Sequence, residues 1–586
     1  MLKVGQIEEV EITGYSSEGE GICRVDGCAV FVPNAIRGEV CSVKLTHVSR
    51  NSAHAKIEQI IKRSPHRIAR ICPEAKLCGG CQLHHMDYAE ELQFKAQKVT
   101  DALNRIGGQA LERVPITGSM ASPDAETNDW TAGYRNKAQY PVAEQNGKPV
   151  AGFYKSRTHN VISVRRCAIL PELFDRVRDV VISWAEEDRV PAYVEATGKG
   201  LLRHIYVRKG AVTGQVMVCL VVNGTSLPRE ARLVNALRRE IPGLASVILS
   251  VNPKKTNVVL GDRFRTLWGS GEIEDELCGF TFRLSPRSFY QVNHDQAERL
   301  YAKAVELADL HGTETVLDLY CGTGTITLAL SRHAGRAIGV EVVPEAIEDA
   351  KQNAVRNGVK NVKFFCADAA EAAARFARQI PKGELNEEKD RKDGFLAPLG
   401  MTGERDGFLA PLGMTGGVDV IVVDPPRKGL APEVIDAMVT MSPAQIVYVS
   451  CDPATLARDV KVLSQQGYSL THAEAFDLFP RTFHVETVVQ LVRKNPDMTV
   501  SVTLNLEDAD LTAAESKATY DQIKAYVLNT FGLRVTSLQI AQTKRKLGLP
   551  IGEHYNLSQK ENQVVPQCPV EKEALIMEAF RYYHMI

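Results

Sequence analysis

No run of apolar residues in this chain approaches the length needed to cross a membrane. Met1 to Glu20 also lacks the apolar core of a secretory leader. A membrane partner is therefore not expected, and the chain reads as a soluble cytoplasmic protein. An excess of charge of one sign is missing too, with 70 Lys and Arg against 71 Asp and Glu. That excludes a uniformly basic surface, so any contact with nucleic acid has to be local. One local run exists. Lys44, Arg50, Lys56, Lys62, Arg63, Arg67 and Arg70 face a single acid, Glu58, between positions 44 and 70. Disulfides are not expected either: 13 cysteines in a chain without an export signal point to reduced thiols, metal ligation or catalysis. Finally, 586 residues exceed what one core accommodates, so three or four domains are expected.

Residues 1–60 alternate as short strands at Val10–Ile12, Ala29–Val32, Glu39–Val43 and Ala55–Ile57, parted by glycines at 14, 19, 21, 27 and 38. That is the pattern of a small barrel. Residues 61–284 mix strands (Leu201–Val207, Gln215–Val222, Ser246–Val251) with helical stretches such as Tyr88–Arg105, an α+β domain. From 285 to 495 strands and helices alternate, which implies a parallel sheet in a Rossmann-like domain. A low-complexity insertion at 380–417 interrupts it, where Asp393–Gly403 recurs as Asp406–Gly416. Two copies are too few for a solenoid, so this reads as a surface loop without chemistry. After Asn495-Pro496 a small extension, 496–586, carries helical periodicity around Ala518 to Thr530 and a basic Lys544-Arg545-Lys546. The fold class is thus multidomain α/β.

The chemistry concentrates in the third domain. Thr315–Tyr320 is a buried strand, followed by the loop Cys321-Gly322-Thr323-Gly324-Thr325 and a helix. Glycines let the backbone approach a ligand, and the helix start favours polar or anionic groups. The next strand ends in Glu341, placed to accept from two ribose hydroxyls. The third glycine of a dinucleotide fingerprint, near Thr327, is absent. Phe364–Asp368 and Val420–Asp424 are further strands ending in carboxylates, the second followed by Pro425-Pro426-Arg427-Lys428-Gly429. Gln445–Val449 is a short β-branched strand that delivers Cys451 at its carboxyl end, with Pro453 turning the chain. A thiol displayed there is placed for attack rather than packing. Further on lies Phe483-His484-Val485-Glu486.

The glycine loop and its acids resemble motif I of S-adenosylmethionine-dependent methyltransferases. Glu18–Ile22, Phe31-Val32-Pro33 and Gly38-Glu39-Val40 resemble a TRAM domain, a small OB-like RNA-binding barrel; the basic run lies on and just after its last strand. Together with Ser285–Asn293, Asp424–Gly429, Ser450–Pro453 and His484–Glu486, the set is similar to the RNA uracil-5-methyltransferase family over residues 1–495. Within it the resemblance is to the 23S ribosomal RNA branch (RumA/RlmD type). It implies methylation of carbon 5 of a flipped-out uridine, with Cys451 as nucleophile at carbon 6 and Glu486 as general base. It further implies that Gln291, Tyr320, Thr325, Glu341 and Asp368 line the S-adenosylmethionine site and that Asp424 lies between donor and uracil. Cys321 is assigned to packing. A cytosine methyltransferase would place a cysteine after the proline pair, where this chain has Arg427. A transfer RNA uracil-5-methyltransferase and a non-catalytic RNA-binding factor are the alternatives. The protein is expected to act as a monomer.

Cys72, Cys78 and Cys81, with Gly79-Gly80 between the last two, form a tight turn, and Cys167 lies further along the chain. Four thiolates suit zinc or an iron–sulfur cluster, and spacing does not choose between them. The family resemblance implies a 4Fe-4S cluster on these four residues. Tyr134–Lys137 and Gly200–His204 are candidate RNA-facing segments for which a role in folding is an equal alternative, and Lys544–Lys546 is expected to tune ribosomal RNA binding.

Overall fold

The structure, a computed structural model, describes residues 2–70, 72–119, 131–378 and 417–494, and in a separate C-terminal unit residues 520–531, 533, 535–547 and 568–582. The duplicated stretch 393–416 lies outside the described residues.

The N-terminal alternation forms a six-stranded sheet in the order Ile7–Glu11, Val40–Val48, Ser52–Lys62, Cys28–Val32, Gly21–Val25, Gly14–Tyr15. Period-two burial is plain in Val40–Val48, where Cys41, Val43 and Leu45 are buried and their neighbours are not. Those side chains pack with Val10, Ile12, Cys23, Val30, Val32, Ala53 and Ala55. The last strand runs to Lys62, two residues past the expected boundary at 60.

The central sheet has seven strands, ordered Val161–Ser163, Lys148–Tyr154, Lys137–Gln145, Leu202–Lys209, Val216–Val222, Leu244–Val251, Arg263–Gly269. Val216–Val222 is buried along its whole length. Both its faces are covered, which is why it reads as a continuous apolar run. Helices Glu172–Glu187 and Glu230–Glu240 cover one face through Phe174, Val177, Trp184, Leu233 and Leu237. On the other face Met217, Cys219 and Ile248 share a core with the hairpin Ile273–Leu284 and the helix His294–Leu307.

The third domain is built on an eight-stranded sheet in the order Val362–Cys366, Arg336–Glu341, Thr315–Leu319, Val420–Val423, Gln445–Ser450, Glu486–Arg493, Tyr468–Phe476, Ile116–Thr117. The first five strands are parallel, and Glu486–Arg493 inserts antiparallel beside Gln445–Ser450. The end strand, Ile116–Thr117, comes from far upstream and pairs parallel with Tyr468–Phe476. Helix Tyr88–Arg105 packs on helix Pro453–Gln465, and its Val99 and Leu103 share a core with Tyr448, Leu456 and Val489. Segment 61–284 therefore contributes to two cores rather than forming one domain.

The C-terminal unit has three described helices, Tyr520–Phe531, Ser537–Lys546 and Val570–Tyr582, around Ile523, Val527, Ile540, Ile576 and Phe580. Lys544 is buried with its ammonium 4.9 Å from the Tyr520 ring centroid, and Lys546 Nζ lies 2.6 Å from Glu573 Oε1. Two of the three basic residues expected at an RNA surface thus make contacts inside this unit. No described helix is long and apolar enough to cross a membrane.

Candidate active site

A cleft of about 1450 Å³ opens along the carboxyl ends of the parallel strands. It is where an open α/β sheet places ligands. Gln291, Tyr320, Thr325, Glu341, Asp368, Asp424, Cys451 and Glu486 all line it. The structure therefore gathers into one space every residue that the sequence assigns to donor binding or catalysis.

Behind the donor end lies the turn from Thr315–Leu319 into the short helix Thr325–Ser331. Gly324 has φ +83°, and a Cβ there would stand 2.9 Å from the Phe364 ring. Only glycine satisfies both conditions. Tyr320, though not glycine, also has φ +70°, a disfavoured backbone state of the kind that accumulates at functional sites. Glu341 ends the neighbouring strand; its Oε2 accepts from Gly322 N–H at 3.2 Å and its Oε1 from Val342 and Val343 N–H at 2.9 and 3.0 Å. Asp368 caps the helix Ala369–Arg378, its Oδ1 accepting from Ala370 and Glu371 N–H. Tyr301 is buried and lines the cleft together with Gln291 and Thr325. Cys321 is buried beside the loop, and burial pushes its thiol far up, as packing requires.

The reactive end is set by strand register. Ser450 pairs with Thr487 across the antiparallel ladder, so Cys451 and Glu486 emerge side by side from adjacent strand ends. The turn after Cys451 is held by Asp452, whose Oδ1 accepts from Ala454 and Thr455 N–H at the start of the helix Pro453–Gln465. Burial, reinforced by the charges of Glu486 and Asp424, pushes the Cys451 thiol up to about 11; Arg427 opposes the rise. Burial and the neighbouring Asp424 carboxylate hold Glu486 at about 8, and burial holds Asp424 at about 7. Deeper in, burial lifts Asp318 to about 8, and it accepts from the Thr327 hydroxyl. His484 Nδ1 lies 3.5 Å from Arg427 Nη2, and burial with that cation lowers the imidazole to about 4. Two carboxylates poised near neutrality beside a thiol form a set that can move protons at the reacting centre.

A second cavity, about 450 Å³, is lined by Cys72, Cys78, Cys81 and Cys167. Each of Cys81 and Cys167 feels the charge of other thiols of the four, and burial raises all of them. Among the described residues no three His, Cys, Asp or Glu are gathered tightly enough to hold a metal ion. Four thiols lining one cavity are a donor set that suits zinc or an iron–sulfur cluster. The turn is pressed against the strand Lys148–Tyr154, Gly79 N–H donating to Tyr154 O at 3.1 Å. Lys137, Gln139 and Val292 line both cavities.

The other segments expected at RNA are largely internal. Tyr134 is buried and donates to Pro480 O, and Asn136 donates to Gln291 O. Arg203 donates to Asn252 O and Lys254 O with its guanidinium 4.3 Å from the Tyr193 ring centroid, and His204 is buried. These side chains build the fold. Sequence reasoning missed Glu91, Lys95, Asp477 and Arg481, a buried charged group beside the loop that leads to Glu486. Glu91 and Lys95, four apart on a helix, look like any solvated face, and Asp477 and Arg481 lie in a loop, so no local pattern marks the group.

Residues 416–494 match the family described as tRNA (Uracil-5-)-methyltransferase, 310–380 a methyltransferase domain, and 2–57 the TRAM domain. The chain is 40% identical over 485 residues to an uncharacterized RNA methyltransferase of Clostridium acetobutylicum, covering 83% of this chain and 96% of that protein. An uncharacterized RNA methyltransferase of Clostridium tetani is 43% identical over 488 residues, with the same coverages of 83% and 96%. Among solved structures, the Pyrococcus abyssi tRNA (uracil-54, C5)-methyltransferase in complex with S-adenosyl-L-homocysteine is similar with a TM-score of 0.61 at 27% identity, over 83% of this chain and 99% of that one.

Proposed function

The chain belongs to the RNA uracil-5-methyltransferase family that carries an N-terminal TRAM domain, and from that premise we propose that it methylates carbon 5 of a specific uridine in 23S ribosomal RNA through a covalent adduct of Cys451. The observation that carries this reading is the adjacency of Cys451 and Glu486 at paired strand ends, in the same cleft as the glycine loop.

S-adenosylmethionine, for which the Gly324 loop, Glu341 and Asp368 provide a fitting cradle, supplies an electrophilic methyl group on a sulfonium. Cys451 Sγ adds to carbon 6 of the uracil, and the carbon 5–carbon 6 double bond shifts its electron pair toward carbon 5. Carbon 5 takes the methyl while the donor sulfur keeps the bonding pair. Glu486 then removes the carbon 5 proton; that C–H pair restores the double bond and expels the Cys451 thiolate. Asp424, between the two ends, holds the uracil edge. Unstacking of the target base from its RNA is required for any of this.

On Cys72, Cys78, Cys81 and Cys167 the reading places a 4Fe-4S cluster, which these four thiolates would hold. The methyl transfer needs no electron, so the cluster's role is to fix the central domain. The reading takes the protein as a monomer.

A transfer RNA substrate is the second reading, favoured by the name of the Pyrococcus abyssi protein. That protein aligns over 99% of its length, so the barrel and central domain do not by themselves select ribosomal RNA. The motif set supports the ribosomal branch. A non-catalytic RNA-binding factor is the third reading. The deciding experiment incubates anaerobically purified full-length protein and S-adenosylmethionine with unmodified 23S ribosomal RNA or with transfer RNA, and maps products by mass spectrometry. We expect 5-methyluridine in ribosomal RNA alone. Methylated transfer RNA would move the assignment to the second reading, and no methyl on either RNA to the third.

A further inference from the structure

The segment Asp477–Val485 delivers Phe479, His484 and Glu486 to the cleft, and the described structure holds it from three sides. Lys95, fully buried on the helix Tyr88–Arg105, donates to Glu91 Oε1 at 2.7 Å, to Asp477 Oδ1 at 2.7 Å and to Phe479 O at 3.2 Å. All three ammonium protons are therefore placed, two of the three bonds reaching into this segment. Glu91 Oε1 also accepts from Arg481 N–H at 2.7 Å. Tyr88 adds a hydroxyl bond to Asp477 Oδ2 at 3.0 Å.

Arg481 is the meeting point. Its backbone has φ +70°, a conformation that a non-glycine residue holds only when its surroundings over-determine it. Its carbonyl accepts from Gln82 and Leu83 N–H at 2.9 and 3.0 Å, in the turn that follows Cys81. Its guanidinium donates to Met86 O at 3.0 Å and to Thr131 Oγ1 at 2.9 Å. Two cations, Lys95 and Arg481, balance two anions, Glu91 and Asp477, all away from solvent. Buried ion groups are a poor source of net stability compared with apolar packing, but they penalise any other arrangement of the backbone they bind.

We propose that Arg481, locked by Glu91 and Lys95, is a positioning residue that sets where the Glu486 carboxyl meets the substrate. The inference rests on the uridine-methylation reading above. It predicts a specific kinetic signature, because Cys451 is displayed by the neighbouring strand Gln445–Ser450 and not by this segment. Disturbing the lock slows removal of the carbon 5 proton and leaves formation of the carbon 6 adduct largely intact.

The test compares the full-length chain with Arg481→Lys and Glu91→Gln, using Glu486→Gln as the reference for a missing base. Adduct formation is timed on 5-fluorouridine RNA, whose carbon 5 carries no removable proton. Release is timed on ordinary uridine RNA as methylated product freed from Cys451. Both lock variants should form the adduct within about threefold of the unaltered rate but release product about tenfold slower or worse, accumulating methylated adduct as the reference does. Equal losses in both steps, or unchanged release in both variants, would overturn the proposal. If Arg481→Lys fails to fold, Glu91→Gln, which keeps the acceptor for Arg481 N–H and removes only the charge, decides the matter alone. No adduct from the unaltered protein would instead overturn the uridine reading, and this inference with it.

Discussion

Two cavities in residues 1–495 share a wall at Lys137, Gln139 and Val292 yet are assembled in opposite ways. The larger is lined mainly by the ends of parallel strands and the turns that follow them. Its key side chains come from Thr315–Leu319, Arg336–Glu341, Val420–Val423, Gln445–Ser450 and the antiparallel Glu486–Arg493. The smaller is closed by a turn and loops, three thiols from one short segment and the fourth from Cys167. A strand end fixes a residue through the whole sheet, so chemistry there tolerates little displacement. A cavity closed by loops depends on whatever ties those loops down, and Gly79 N–H to Tyr154 O is such a tie. One cavity is therefore expected to answer in turnover, the other in stability.

The sharpest break of that contrast is Cys451→Ala. It should lower methylation by about 10³-fold or more and abolish the adduct with 5-fluorouridine RNA, with an unchanged unfolding midpoint. An adduct that survives the substitution would remove Cys451 from the role of nucleophile.

Titration gives the next largest effect. In the proposed mechanism Glu486, held at about 8, and Cys451, at about 11, would both act in their deprotonated forms, and both are raised. Raised acids hold their protons at neutral pH, so single-turnover methylation should climb at least about tenfold between pH 6.5 and 8 and keep rising above that. In Glu486→Gln the lower limb should vanish from the release step. A flat profile from pH 6.5 to 8 would contradict the burial seen at this site.

The smallest effects compare the two cavities directly. Gly324→Ala forces a Cβ toward the Phe364 ring at positive φ, and should weaken S-adenosylmethionine binding by about tenfold. Cys81→Ser should lower the unfolding midpoint while leaving donor affinity within about twofold. Calorimetry of donor binding reads both. A large loss of donor affinity in Cys81→Ser would mean that the wall at Lys137 and Val292 transmits between the cavities, and the contrast drawn here would fail.

Much of the site was legible because strands announce their ends. Val316, Leu317 and Leu319 are buried, and the glycines after them mark a loop that backbone sterics alone require. Cys451 follows Gln445–Ser450 for the same reason, and Pro453 closes the turn. The charged lock was not legible. Glu91 and Lys95 are an ordinary pair at helical spacing until Asp477 and Arg481 arrive from the far end of the chain. Arg203 and His204 could serve either RNA or the fold by sequence, and they are buried, because backbone carbonyls of Asn252 and Lys254 and the Tyr193 ring take the guanidinium.

By itself, then, the sequence determined the TRAM barrel, the glycine loop and the placement of Cys451 and Glu486 at strand ends, because each is encoded by residue type within a few positions of a strand. Tertiary structure alone decided that helix Tyr88–Arg105 and strand Ile116–Thr117 belong to the core of the eight-stranded sheet, and that Arg481 meets Glu91 in a buried charged group. Those facts depend on which apolar faces and which buried charges meet, and pairing across hundreds of residues leaves no local periodicity to read.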